Sequence, residues 1–247
     1  MAVMGNHEFN AVAFHMGHPD VNGAFLRERT YKNIRQYRET VAQLSDQELV
    51  DYTNWFQTLP MWLDLGGLRV VHACWDPKAM QIVTQHREQF GGFDDRFFHL
   101  ACERDEALFD AVEVLLKGRE TKLPSGITFK DKDGNPRHDV RTKWFKDPAA
   151  PGTTYRDYTF SFQPDELAAM PAEPLSPETI DDACPYGADE PPVLFGHYWM
   201  PGDREPAPLE PNVACLDYSV AKEGRLCAYR WSGEATLRGD GFVSVPC

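Results

Sequence analysis

Met1-Ala2-Val3-Met4 runs straight into Gly5-Asn6-His7-Glu8. Four apolar residues feeding a glycine, then a polar trio opening a helix-like stretch, read as a buried strand handing polar groups to its carboxyl end. In open α/β sheets that end is where ligands bind. An amide oxygen beside an imidazole suits a metal-bound oxyanion. A core strand seldom begins a chain, so the expectation is that a front portion precedes Met1 in the complete protein.

The same pattern recurs along the chain. Leu68-Arg-Val-Val-His72-Ala73 and Val193-Leu-Phe-Gly196-His197 each end an apolar run on a histidine, and Ala214-Cys-Leu-Asp217 ends one on a carboxylate. Taken singly, a histidine at a strand end is more often a hydrogen-bonded core residue. Four such deliveries in one order point to a ligand site.

Between them the chain reads as mixed helix and strand. Helical patterns cover 8–16, 27–44, 76–90 and 95–117, with Gly17, Gly91-Gly92 and Gly118 as stops. Ser45-Asp46-Gln47-Glu48 is a capping box that starts a further helix, with apolar Leu49, Tyr52, Trp55, Phe56 and Leu59, ended by Pro60. Met61–Leu65 and Leu68–His72 flank Gly66-Gly67 as a hairpin, and 127–130 with an Asp133-Gly134 turn suggests a second. Residues 147–192 are rich in proline and acids and read as irregular, with one short helix near 165–170. Strands are expected at 192–195, 213–216 and 225–231.

Lysine and arginine total 25 against 38 acidic residues, a net charge of −13. That disfavours nucleic acid as a partner, because such binding needs basic patches that release counterions. A phosphorylated substrate remains compatible, since a bound metal dominates local charge. No apolar run reaches membrane-spanning length and no basic-then-apolar leader opens the chain. The six cysteines form no Cys-x-x-Cys pair, which fits a reduced, cytoplasmic protein rather than a disulfide scaffold.

Gly5-Asn6-His7-Glu8, Val71-His72-Ala73, Gly196-His197 and Leu216-Asp217-Tyr218 with Gly224-Arg225-Leu226 together resemble the calcineurin-like metallophosphoesterases. Within these the branch is that related to serine/threonine protein phosphatases and diadenosine tetraphosphatases. The resemblance runs from residue 1 to about 231 and is weakest in the middle third. It implies an α/β fold, a two-sheet β-sandwich flanked by helices, lacking here its first β-α-β portion. It also implies one domain over 1–247 with an inserted segment at 94–192.

Such enzymes hydrolyse phosphoesters with a metal-activated water between two ions about 3.5–4 Å apart. By resemblance Asn6, His72 and His197 are ligands of one ion and His7 is the general acid at the leaving oxygen; for Asp217, orienting a histidine ligand from behind suits better than binding the ion. Arg141, and secondarily Arg137, would hold phosphate oxygens, as a planar guanidinium fork suits them. The implied ion is Mn2+, with Fe or Zn as alternatives, and the implied substrate is a phosphoprotein, a dinucleoside polyphosphate or a small phosphate ester.

Two features depart from the family. Its Asp-x-His and Gly-Asp-x-x-Asp motifs occur nowhere in these 247 residues, and Trp199 stands where many relatives carry a further histidine. Neutral ligands alone hold a hard divalent ion poorly, so at most one weakly bound metal is expected. The alternative function is a non-catalytic binding or scaffolding remnant of the same fold. A single-zinc hydrolase completed by Asp217 is a third. Asp131-Lys-Asp133-Gly134-Asn135 lacks the spacing of a calcium loop, and His72-Ala-Cys74 lacks a second pair to make a zinc site.

Overall fold

Residues 1–5 form no strand in the computed structural model of the chain, which describes residues 1–130 and 136–247. Met4 is fully buried and donates its N–H to Pro60 O at 2.8 Å. Pro60 has no N–H to return, so the pairing stops at one bond. The opening run is therefore a lead-in to a helix, exposed at Met1 and Ala2 and anchored by buried Met4, not the expected strand.

The chain divides into two compact units, residues 1–63 with 76–116, and residues 64–75 with 117–247. The first is helical: α1 (Asn6–His15), α2 (Tyr31–Gln43), α3 (Asp46–Phe56), α4 (Pro77–Phe90), α5 (Asp95–Leu100) and α6 (Ala107–Lys117), whose last residue passes to the second unit. Side-chain caps fix most of the starts: Thr30, Ser45, Asp76 and Asp94 accept the N–H groups of Asn33, Glu48, Ala79 and Phe97, each satisfying a donor that has no partner within its own helix. Thr30 thus starts α2 inside the expected 27–44 stretch, and the helix buries none of its residues.

Two helical expectations need correction. In α3 the buried residues are Leu49 and Thr53, whereas Tyr52 and Trp55 are exposed. The single helix expected over 95–117 is broken, because Cys102 N–H bonds back to His99 O and Glu103 N–H to Leu100 O, three residues away instead of four. That tighter winding ends α5. Phe97 and Phe98 are fully buried, and the Phe98 ring lies 5.4 Å from Phe9 of α1, which anchors α5.

In the second unit, β1 (Trp62–Asp64) enters from the first and adjoins β2 (Arg69–Val71) across Gly66-Gly67. Two short pairs follow: β3 (Glu120–Lys122) with β6 (Asp139–Arg141), and β4 (Phe129–Lys130) with β5 (Pro136–Arg137). The Asp133-Gly134 turn expected between the latter strands, like the rejected calcium loop, lies outside the described residues. Next come α7 (Tyr155–Tyr158), α8 (Pro164–Ala169) and α9 (Pro177–Asp182), then β7 (Val193–Phe195), β8 (Val213–Cys215), β9 (Asp217–Tyr218), β10 (Arg225–Tyr229) and β11 (Phe242–Pro246).

The main sheet has the order β1-β2-β7-β8, and β2, β7 and β8 run parallel. A second, antiparallel sheet has the order β11-β10-β9. Leu194 and Ala214 of the first sheet pack with Leu237, Tyr229 and Phe242 beside the second, so the two sheets share a core. On β7 the neighbouring side chains point to the opposite face. There Phe195 meets Trp144 and Tyr198 at centroid distances of 5.2 and 5.5 Å. Tyr155 and Tyr158 of α7 bury against Val140 and Leu123, with Ile180 of α9 alongside. The architecture is α/β with several open sheets, sandwich-like in this unit.

Candidate functional site

Parallel neighbours present their carboxyl ends at one edge. Arg69 pairs with Val193 and Leu194 with Ala214, and the ladder continues past the strands through Gly196 N–H to His72 O at 2.9 Å and Leu216 N–H to Phe195 O at 2.7 Å. His72, His197 and Asp217 therefore leave the sheet together. The two imidazole rings lie 5.2 Å apart at 65°.

The segment that carries His197 is held in an uncommon backbone shape. His197 and Trp199 have φ of 73° and 54°, and Ser219 across from them has 58°. Non-glycine residues adopt this left-handed region only where their surroundings enforce it. The Asp217 carboxylate supplies the enforcement: one oxygen accepts Trp199 N–H at 3.2 Å and the other Ser219 N–H at 3.1 Å. Met200 N–H bonds Asp217 O, and the Ser219 hydroxyl donates to Met200 O. Both Asp217 oxygens are thus turned to backbone N–H groups.

Tyr198, next to His197, is buried under the sheet, and burial holds its phenol well above the usual range. Gly118, at φ 91°, lies against its hydroxyl, where any Cβ would clash. The Arg141 guanidinium stands 5.9 Å from the Tyr198 ring centre. Arg141 and Arg137 both approach the same Glu120 carboxylate, at 3.8 and 3.5 Å. Lys143 donates to Asp157 O at 2.7 Å, and burial lowers its ammonium pKa. The nearby thiol of Cys215 is pushed up by burial, which leaves it a protonated, inert packing group.

Asn6 and His7 belong to the first unit, at the first two positions of α1. Glu8 has a plain structural task there, since its carboxylate accepts Gly5 N–H at 3.0 Å and closes the helix start. Part of the Gly-Asn-His-Glu string is therefore a helix-start signature of the S/T-x-x-E type, with glycine in the cap position.

One cluster escaped the sequence reading. In the first unit His18, His99 and Glu103 bring three ligand atoms within 4.8 Å of one another, the one such group of three among the described residues. The His99–Glu103 spacing of four within the expected 95–117 helix was legible, but nothing local marks His18 as their neighbour. This cluster has the capacity for one divalent ion.

The edge at His72 and His197 fits a two-ion centre poorly. Among the described residues it offers two imidazoles and the Asp217 carboxylate, whose oxygens each accept a backbone N–H. No described helix is long and apolar enough to cross a membrane. Comparison of the chain with protein-family models, with curated proteins and with solved structures returns no match.

Proposed function

We propose that this chain carries part of a calcineurin-like phosphoesterase site and acts on phosphoesters through His72 and His197. One observation carries the reading: adjacent parallel strands deliver both imidazoles to one sheet edge, with rings 5.2 Å apart. The clamp by Asp217 supports its reading as a positioning residue rather than a ligand. A divalent ion bound at such a site would supply Lewis-acid chemistry. The chain's own residues bind and orient: His72 and His197 offer ring nitrogens, Asp217 fixes the turn that aims His197, and Arg141, beside the Tyr198 ring, is the phosphate-binding residue of this reading. The roles of Asn6 as ligand and His7 as proton donor rest on the motif resemblance alone.

The donor set favours weak binding of one ion, Mn2+ by the resemblance. Hydrolysis of p-nitrophenyl phosphate with and without Mn2+ tests this in the wild type, His72→Ala and His197→Ala. A slow Mn2+-dependent rate that both substitutions abolish is the expected result. Equal rates in all three proteins would remove the two histidines from any such role. Because no described group of three metal ligands forms at this edge, the second reading is a non-catalytic remnant of the same fold. It predicts Mn2+ uptake through these histidines with no hydrolysis.

A further inference from the structure

We infer that His18, His99 and Glu103 form a binding site for a zinc-class transition-metal ion, which ties the loop after α1 to the end of α5. The inference is independent of the phosphoesterase reading and lies wholly within the first unit.

The separations carry it. His18 Nε2 and His99 Nε2 lie 3.5 and 3.3 Å from the same Glu103 oxygen. Good N–H···O bonds span about 2.7–3.2 Å, and charge-assisted ones are shorter still. A tetrahedral zinc ion with bonds of about 2.0–2.1 Å sets neighbouring ligand atoms about 3.3–3.4 Å apart. These two separations match the ligand edge better than the hydrogen bond, and the third lies within 4.8 Å. The rings stand 5.0 Å apart at 74°, so the two imidazoles meet edge to face and neither stacks over the other.

The frame around the cluster is already built. His18 sits in a loop closed by the Gly17–Phe25 bridge and by its own N–H to Ala24 O at 2.9 Å. His99 lies in α5, whose Phe97 and Phe98 are fully buried, and Glu103 follows in the turn that ends it, its N–H on Leu100 O. Both histidine side chains are only 20% exposed, so little side-chain freedom remains to be lost on binding. Asp20, an exposed carboxylate outside the group of three, approaches His99 Nε2 at 3.6 Å. Two imidazoles with one carboxylate suit zinc, cobalt or nickel, whereas magnesium and calcium take oxygen shells.

Loading has one local consequence. His18 Nδ1 accepts Asp20 N–H at 3.2 Å, which places the neutral ring's proton on Nε2. To bind an ion through Nε2, the proton must reside on Nδ1 and that bond is given up.

The test uses the untagged full chain carrying His72→Ala and His197→Ala, so that the sheet-edge pair cannot contribute. After chelator treatment, zinc chloride is titrated by calorimetry and melting is followed by circular dichroism. The expected result is uptake of one zinc per chain with a raised Tm, and affinity falling more than tenfold when His18→Ala or His99→Ala is added. Glu103→Gln, which keeps the side chain's shape, should also weaken binding while leaving the metal-free spectrum unchanged. Zinc uptake unaffected by these substitutions, or no uptake, would overturn the site. Magnesium binding as tight as zinc would overturn the metal class.

Discussion

Asp217 shows how one residue sets a local shape. Its two oxygens hold Trp199 N–H and Ser219 N–H, and both of those residues are left-handed. Asparagine in its place keeps one acceptor and turns an N–H2 group toward a backbone donor. Losing a charge-assisted bond and leaving a partly buried N–H unsatisfied costs about 2 kcal/mol. Urea denaturation of Asp217→Asn should show that loss with an unchanged m-value. A change within about 0.5 kcal/mol, ordinary for a surface substitution, would mean the turn stands without the carboxylate. That Asp217 belongs near His197 was legible from the two strand ends. That its oxygens serve the backbone was not, because the φ values of Trp199 and Ser219 leave no trace in residue type. Glu8 teaches the same lesson, since its letter in the motif is used to start a helix.

At the scale of elements, caps were the most legible feature. Ser45 and Glu48 announced α3, and the structure has Glu48 accepting both Ser45 N–H at 2.9 Å and the Ser45 hydroxyl at 2.7 Å. Those bonds hold the Glu48 carboxyl below its ordinary value of 4.5. The ionised form is the one the fold favours. Its stabilisation is therefore complete above pH 4.5 and is lost as pH falls through the lowered folded value. Glu48→Gln removes the titration, so the stability gap between wild type and variant should close on going from about pH 7 to about pH 3. Denaturant melts across that range check it, and a gap independent of pH would rule out the capping carboxylate as its source. Less legible were breaks imposed by tertiary contact. Residues 101–106 are mostly good helix formers, yet α5 ends where its buried Phe97 and Phe98 fix it. Propensity gives way to packing there. The strand β11 was missed because 242–246 is a short alternating run, and its pairing to β10 is visible only in three dimensions.

Over the whole molecule the net charge of −13 acts on folding and on encounter alike. Many like charges on a compact chain repel one another, and unfolding relieves that repulsion. Raising monovalent salt from about 0.01 to about 0.15 M shortens the screening length from about 30 to about 8 Å. The melting temperature should rise over that interval. Sodium chloride and tetramethylammonium chloride should raise it alike, because screening depends on ionic strength and a bulky organic cation cannot enter a ligand site. An effect confined to sodium would point to ion binding, and a fall in Tm would mean that favourable ion pairs, such as those of Arg69 with Asp64 and Glu190, outweigh the general repulsion. The same field works against a phosphate anion approaching from solution. On the proposed reading, capture of such a substrate therefore depends on local positive charge, from Arg141 or from a bound cation. For this reason Arg141→Ala should weaken inorganic phosphate binding most at low salt, where repulsion by the rest of the molecule is least screened. Phosphate titrations at the two ionic strengths measure the difference, and an equal loss at both would leave Arg141 as a contact without a steering role.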